Sequence, residues 1–320
     1  MSSVTLGSIP ATAFRQRGVI LLAFFIVLFL AAAGAIITVL DNNTVSQRRN
    51  DNTAMALREA KEALIAYAVL YSDYYAGAGA GPGYLPCPDS NGNGLENAPC
   101  GSNSLGRLPT LITLPSGSDY PFSDYNDDID ERFWYSPADV FRRNPPAVLN
   151  TSALSAITLN AQNRIAAVLI APGPATGVQA RPSNASTRYL EDSNTTAPSF
   201  VSSDAANPDL FNDRVLAITI DEIMTPITRK VADLLQVHLD AYHVLTTTYP
   251  LTQLEFNAML LLAPLPVWFT ANQWELVTNY TWVSNDQATL SFVGCANISY
   301  QLNYAVADSP ANIRRLGSQC

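Results

Sequence analysis

An apolar stretch, VILLAFFIVLFLAAAGAIITVL, occupies residues Val19–Leu40. Its 22 residues carry no charge. At 1.5 Å per residue they make roughly 33 Å of helix, enough to cross the apolar core of a bilayer. Arg15 and Arg17 precede the stretch and Asp41 follows it, which favours a cytoplasmic N-terminus and an exported remainder. We therefore predict a transmembrane helix over Val19–Leu40.

A secretory signal peptide is the alternative interpretation of this stretch. The apolar region of a signal peptide runs about 7–15 residues and ends at a small-residue cleavage site. The run here is longer, but the small residues AAAGA at Ala31–Ala35 leave this alternative open.

Composition excludes several classes of protein. Of 320 residues, 48% are hydrophobic and 14% are charged, so the chain can bury a core and is not a disordered protein. A net charge of −9 provides no basic surface for nucleic acid. Two histidines and four widely spaced cysteines do not match the ligand spacing of a zinc finger.

The residues just before the apolar stretch carry a family resemblance. A polar leader ends in Arg15-Gln16-Arg17-Gly18 and passes directly into apolar sequence. In this the chain resembles the type IV pilin superfamily, whose leader is cut after such a glycine. The family usually has Phe where this chain has Val19, and its major subunits have Glu where this chain has Ala23. Since tip subunits such as the large minor pseudopilin of type II secretion also lack that Glu, the resemblance implies a minor or tip subunit.

The resemblance implies an architecture and an assembly helix. The fold class is α+β, with a long N-terminal transmembrane/amphipathic helix packed on an antiparallel-sheet head with extra helices. Residues 1–18 are the leader, cut between Gly18 and Val19; residues 19–75 are the long helix, with its transmembrane half at 19–40; residues 76–320 are the exported head. Small residues allow helices to approach closely, and the expected membrane and assembly residues are Val19, Leu22, Ala23, Phe25, Leu28, Gly34 and Leu40.

The sequence after the apolar stretch also favours helix. Apolar residues recur at spacings of three and four from Ala54 to Tyr71, with charged residues between them. The glycine-rich AGAGAGPG at 76–83 ends the helix near Tyr75. A plain signal anchor followed by a separate core helix remains an alternative.

The sequence of the head predicts two buried strands, then two helices, and then three final strands. Arg164–Ile170 and Arg214–Ile220 are short apolar runs typical of buried strands. Thr219 and Glu222 have the spacing of a capping box before a helix over Asp221–Leu245, and a short helix over Leu251–Leu262 follows. The final strands are expected at Trp274–Val283, Ala288–Val293 and Ser299–Val306.

The four cysteines allow three pairings. Cys87 and Cys100 enclose twelve residues, and a bridge across so short a loop is plausible in an oxidising compartment. The second pair, Cys295 with Cys320, resembles the C-terminal disulfide loop of many pilins. We predict these two local bridges.

Two groups of oxygen side chains are candidate calcium sites. The first alternates Asp89, Asn91, Asn93 and Gly94 with Glu96 nearby, a pattern similar to a calcium loop but more typical of Asn-Gly turns, since Cys100 stands where a calcium loop has its bidentate Glu. The second contains Asp124, Asp127, Asp128 and Asp130, flanked by Asp119 and Glu131. Solvated loop charge, calcium of the kind that pseudopilin heads hold, and an acid/base dyad are its three interpretations. Calcium is thus the one cofactor considered, and otherwise none is expected.

No enzymatic motif appears. His238 and His243 are five residues apart with no Glu between them, unlike the HExxH pattern, so we predict that the chain is not an enzyme. The predicted function is a structural subunit of a type IV pilus-like or type II secretion pseudopilus filament. A signal-anchored periplasmic or cell-surface binding protein or adhesin, a major subunit of an unusual filament and a periplasmic hydrolase are the alternatives.

The expected partners follow from the filament prediction. They are pilin-like subunits or copies of the chain, inner-membrane lipid and a prepilin peptidase, with no nucleic acid. The expected location is the bacterial inner membrane with a periplasmic head before assembly, and a pilus or pseudopilus, extending to the cell surface, afterwards.

Overall fold

The structure is a computed structural model that describes residues 17–75, 81–101, 104–142, 148–177, 179–202, 211–304 and 313–320. Within the first helix, side chains are described for residues 24–29 and from residue 45 onward. The leader residues 1–16 lie outside the described residues, as do residues 76–80 of the glycine-rich stretch.

The helices include one long N-terminal element and a group near the C-terminus. Their bounds are α1 Arg17–Tyr74, α2 Ile220–Thr246, α3 Gln253–Leu262, α4 Val267–Ala271 and α5 Trp274–Val277. Short 3-10 helices occur at Asp139–Phe141, Ser186–Arg188 and Asp192–Thr195.

The strands alternate with turns through the middle and end of the chain. They are β1 Gly106–Arg107, β2 Leu111–Thr113, β3 Asp119–Pro121, β4 Trp134–Pro137, β5 Thr158–Leu159, β6 Ile165–Ala171, β7 Ser199–Phe200, β8 Arg214–Thr219, β9 Thr278–Ser284, β10 Gln287–Phe292, β11 Cys295–Asn303 and β12 Ile313–Leu316.

Two compact units divide the chain, one ending at Asp51 and the other spanning Asn52–Cys320. The second unit holds every strand named above and the hydrophobic core. The C-terminal part of α1, from Asn52 to Tyr74, belongs to this second unit.

The first sheet has the order β1-β4-β6-β8, with antiparallel neighbours. Its central strand β6 reads IAAVLIA, and all seven residues are buried. A strand covered on both faces needs such a continuous apolar run. The predicted strand over Arg164–Ile170 is therefore present, shifted by one residue.

The second sheet is an antiparallel meander with the order β12-β11-β10-β9. Helix α2 packs against it, and the hydroxyls of Thr228 and Tyr300 are 2.9 Å apart in the buried contact. The prediction that Trp274–Val283 is one strand is wrong, because its first four residues form α5. Trp274 and Val277 are both buried, and their spacing of three residues fits one face of a helix better than one face of a strand.

The predicted start of α2 is confirmed. Thr219 accepts a hydrogen bond from the Glu222 N–H, and the Glu222 carboxylate accepts one from the Thr219 N–H in return. This reciprocal cap satisfies two backbone donors that the helix itself leaves free. The helix then buries one face, from Ile223 to Leu239, in the core.

The predicted fold class is wrong. No helix in the described part of the chain combines the length and the apolar character that crossing a bilayer requires. The head also differs, because its strands form two separate four-stranded sheets and two strand pairs.

Candidate functional site

The N-terminal unit presents a run of exposed apolar side chains, Phe24–Phe29, which we call the apolar segment. Each of its six side chains is between 50% and 78% exposed. Because six consecutive residues point in all directions around a helix, the exposure covers its whole circumference. Monomeric proteins rarely expose contiguous apolar surface of this kind, and such surface marks an interaction site.

Two of the predicted assembly residues lie in the apolar segment. Phe25 is 60% exposed and Leu28 is 50% exposed. The structure describes the helical backbone of α1 but not the side chains at the predicted cleavage residue Gly18 and at the other assembly residues, Val19, Leu22, Ala23, Gly34 and Leu40.

The part of α1 that belongs to the second unit is an anchor in its core. Leu57, Ala60, Leu64, Ala68 and Tyr71 are all buried, at the spacings of three and four that the sequence indicated. The anchor therefore places one apolar face of the helix against the sheets and α2.

Polar contacts fix this anchor in register. Lys61 Nζ donates to the carbonyl oxygen of Ala217 on β8 over 2.9 Å. Lys230 of α2 donates to the Val69 carbonyl over 3.1 Å and pairs with Asp73 at 2.7 Å. Lys61 reaches from α1 to β8, and Lys230 reaches from α2 to α1, so α1 cannot slide by a turn without losing both bonds.

Both predicted disulfides are present. Cys87 bonds to Cys100, and Cys295 bonds to Cys320. The first closes the polar loop after the glycine-rich stretch, and the second joins the start of β11 to the C-terminal residue. No free cysteine occurs among the residues that the structure describes.

The first calcium candidate is organised around Asp89, whose side chain has no exposure to solvent. Its carboxylate accepts hydrogen bonds from the backbone N–H groups of Gly92, Asn93 and Gly94. The guanidinium of Arg132 lies 3.0 Å from Oδ2. A carboxylate that already accepts three N–H bonds and an ion pair has no need of a metal to balance its charge.

The other members of this group are also engaged with the backbone. Asn91 Oδ1 accepts the N–H of Asn93, and Asn93 Oδ1 accepts that of Leu95. Glu96 Oε2 accepts the N–H of Cys87. These contacts are those of side-chain-stabilised turns, so the residues present do not fit a calcium ion.

The second acidic group is dispersed over one loop. Asp127 is buried; its Oδ1 accepts the N–H groups of Ile129 and Glu131, and Oδ2 accepts that of Gly173. Burial, opposed by these hydrogen bonds, raises the pKa of Asp127. The loop is thus held by Asp127 itself.

The remaining carboxylates of this group face in different directions. Asp128 exchanges hydrogen bonds with Thr53 of α1, Asp130 accepts from Asn126, and the largely exposed Asp124 lies 3.9 Å from Arg132 Nε. No group of three or more His, Cys, Asp or Glu side chains able to hold a metal occurs among the described residues.

The histidines have structural surroundings. His243 is buried, stacks on Tyr304 with ring centroids 3.7 Å apart, and places Nε2 2.8 Å from Asp286 Oδ1. Burial lowers the pKa of His238. Neither residue is placed beside the other for joint chemistry, as their spacing on α2 indicated.

One buried carboxyl pair was missed by the sequence analysis. Glu191 and Asp213 are 22 residues apart in a polar region, and both are buried. Neither carries a motif, and only the tertiary fold brings them together. No sequence signal identifies such a pair.

Comparison with known proteins yields no match: no family model, no curated protein and no solved structure resembles this chain. The resemblance to type IV pilins therefore remains a prediction based on the N-terminal residues.

Proposed function

We propose that this chain is a structural subunit of a filament of the type IV pilus or type II secretion pseudopilus kind, in a minor or tip position. It assembles through side-by-side packing of its N-terminal helix against the same helix of copies or related subunits. The observation that carries the proposal is the apolar segment, whose side chains are exposed around the whole helix in the single chain.

The exposed apolar surface of this segment favours association with other helices. Burial of apolar surface contributes about 25 cal/mol per Å², and large aromatic side chains each offer on the order of 150–250 Å². Phe24, Phe25 and Phe29 together therefore supply a strong drive to associate. A filament, in which each helix is surrounded by others, covers a helix that is apolar on every side, whereas a two-helix contact covers only one side.

Two further features support the proposal. The anchor of α1 ties the helix to a large head through buried contacts and the two lysine bonds, so pulling on the helix is resisted by the core of the second unit. The two disulfides favour an exported, oxidising location.

The decisive test compares two identical substitutions. Val27 lies in the apolar segment and is 65% exposed, while Val237 lies in α2 and is 66% exposed. V27D should abolish or reduce filament formation at least tenfold, measured by electron microscopy and sedimentation of shed material, because it places a charge inside the packed helices. V237D is the matched control and should assemble as the unmodified chain does.

Two results would count against the proposal. Assembly of V27D at the normal level would show that the apolar segment is not the contact. Mass spectrometry of the mature chain gives an independent check: a first residue of Val19 agrees with leader removal, and an intact leader in cells with active prepilin peptidase contradicts it.

A further inference from the structure

Glu191 and Asp213 form a buried carboxyl pair at the point where the polar segment 179–202 meets β8. Asp213 has no exposure to solvent, and Glu191 is 9% exposed. The two residues are joined through their backbones, because the Glu191 N–H donates to Asp213 Oδ2 over 2.9 Å and the Asp213 N–H donates to Glu191 Oε2 over 3.2 Å. Two carboxylates so placed repel each other unless a cation or a proton lies between them.

Each oxygen of the Glu191 carboxylate accepts two hydrogen bonds. Oε1 accepts from Thr176 Oγ1 at 3.1 Å and from Gln179 Nε2 at 2.7 Å. Oε2 accepts from the N–H groups of Asn212 and Asp213 at 3.3 and 3.2 Å. Four donors suit an ionised carboxylate, which accepts at both oxygens and donates at neither.

Asp213 is different, because only one of its two oxygens is satisfied. Oδ2 accepts from the Glu191 N–H at 2.9 Å and from Asn194 Nδ2 at 3.0 Å. Oδ1 is buried and has no hydrogen-bond partner among the described residues. A buried carboxylate oxygen without a donor is costly, and a proton on Oδ1 lowers that cost because it removes the buried negative charge.

The guanidinium of Arg181 is directed away from the pair. Arg181 donates to the carbonyls of Gly173 and Tyr189 and to Gln179 Oε1. The charged groups on the segments around the pair are Asp127, Glu131, Arg181, Arg188, Asp192 and Arg214. A divalent cation fits poorly, because calcium takes six to eight oxygen ligands and Glu191 already accepts four donors.

We propose that Glu191 and Asp213 form a proton-binding site, in which Asp213 carries a proton on its buried Oδ1 beside the ionised Glu191 carboxylate, and that this proton keeps the segment 179–202 against β8. Loss of that proton leaves two buried negative charges side by side and loosens the segment. The site is independent of the filament proposal, since it lies entirely within the head.

The titration behaviour agrees with this geometry. Burial above all, together with the charge of Glu191, raises the pKa of Asp213 from its ordinary 3.8 to about 8, against the lowering effect of its hydrogen bonds. A carboxyl with a raised pKa binds a proton in the folded chain that the unfolded chain has released. Its stabilising contribution is therefore complete below about pH 4 and is lost as the pH rises towards 8.

Asn is the isostere of a protonated Asp, so D213N is the direct test. Its amide oxygen accepts the two bonds now made to Oδ2, and its uncharged NH₂ group takes the place of the protonated Oδ1. In urea unfolding at pH 5 to 9, the stability of the unmodified chain relative to D213N should fall by up to tenfold in the unfolding constant per pH unit. The exposed D192N serves as the control and should leave the pH profile unchanged.

Titration of Asp127 and other groups is common to all three proteins and cancels in the ratio. A constant ratio between the unmodified chain and D213N across this range would overturn the proposal. Stabilisation by calcium, or a loss of stability on adding EDTA at pH 6, would also overturn it, because a cation would then occupy the site.

Two measurements on the unmodified chain remain informative even if D213N fails to fold. Carboxyl ¹³C NMR should show Asp213 titrating near pH 8, and a midpoint near 4 would contradict a proton bound on Asp213. The hydrogen-exchange protection factors within 179–202, which correct for base catalysis of exchange, should fall above pH 8, whereas those in β10 and β11 should stay constant.

Discussion

The ammonium of Lys61 on α1 forms an ion pair with the carboxylate of Glu222, a residue of the first turn of α2. Glu222 is also the partner of Thr219 in the capping box. One carboxylate therefore joins the anchor of α1 to the start of α2. Burial alone would raise the pKa of the Glu222 carboxyl, but the hydrogen bonds from Lys61 and Thr219 lower it.

Replacing Lys61 by Met should reduce the free energy of unfolding by about 1 kcal/mol at pH 7, since the pair is partly exposed. A carboxyl with a lowered pKa stabilises the fold above its ordinary value of 4.5, and this contribution is lost as the pH falls through the lower value in the folded chain. The deficit of K61M should therefore shrink in acid. Urea unfolding at pH 7 and pH 3 measures the loss of stability and its decrease in acid. R58M, at an exposed position on the same helix, is the control. Equal losses of unfolding free energy in K61M and R58M would refute the pairing.

The local signals in the sequence were sufficient where one short-range rule decided the structure. The capping box at Thr219 and the apolar spacing from Leu57 to Tyr71 were read correctly because each depends on neighbours within one helical turn. Trp274 was misassigned because alternation and helical spacing overlap in a short apolar run. The Glu191–Asp213 pair was missed for another reason: the two residues interact only after β6 and β8 have formed a sheet.

The loop held by Asp89 should depend on that carboxylate and not on a metal. In D89N an amide NH₂ group replaces an oxygen that faces N–H donors and Arg132, so donors confront donors. We expect a loss of about 2–4 kcal/mol in the free energy of unfolding, measured by urea denaturation. D119N, at an exposed position, should change stability by less than about 0.5 kcal/mol.

Chelation tests the same loop without any substitution. EDTA should leave the melting temperature of the unmodified chain unchanged at pH 7, because the donors described above already satisfy Asp89. A fall in melting temperature that calcium reverses would contradict this interpretation and restore the calcium hypothesis for Asp89, Asn91, Asn93 and Glu96.

The two disulfides should contribute separately and by similar amounts. They close loops with sequence separations of 13 and 25 residues. For loops of this size the chain-entropy model gives about 3 kcal/mol each, slightly more for the longer one. Paired Cys-to-Ala variants, C87A/C100A and C295A/C320A, should show these losses in urea. Their effects should add, since one pair closes the loop beside Asp89 and the other closes the second sheet.

Gly317 follows β12 in a backbone conformation that other residues rarely adopt, with φ +92°, and a Cβ atom there would lie 1.8 Å from the carbonyl oxygen of Asn297. Gly117 has a similar φ of +79° and open space around it. G117A should therefore cost only the backbone strain, about 1–2 kcal/mol, whereas G317A adds a clash with main-chain atoms and should cost at least about 3 kcal/mol. Thermal unfolding of the two variants separates the cost of the backbone strain from the cost of the clash. Equal losses of stability in G117A and G317A would show that the backbone of β11 shifts near Asn297 and relieves the clash.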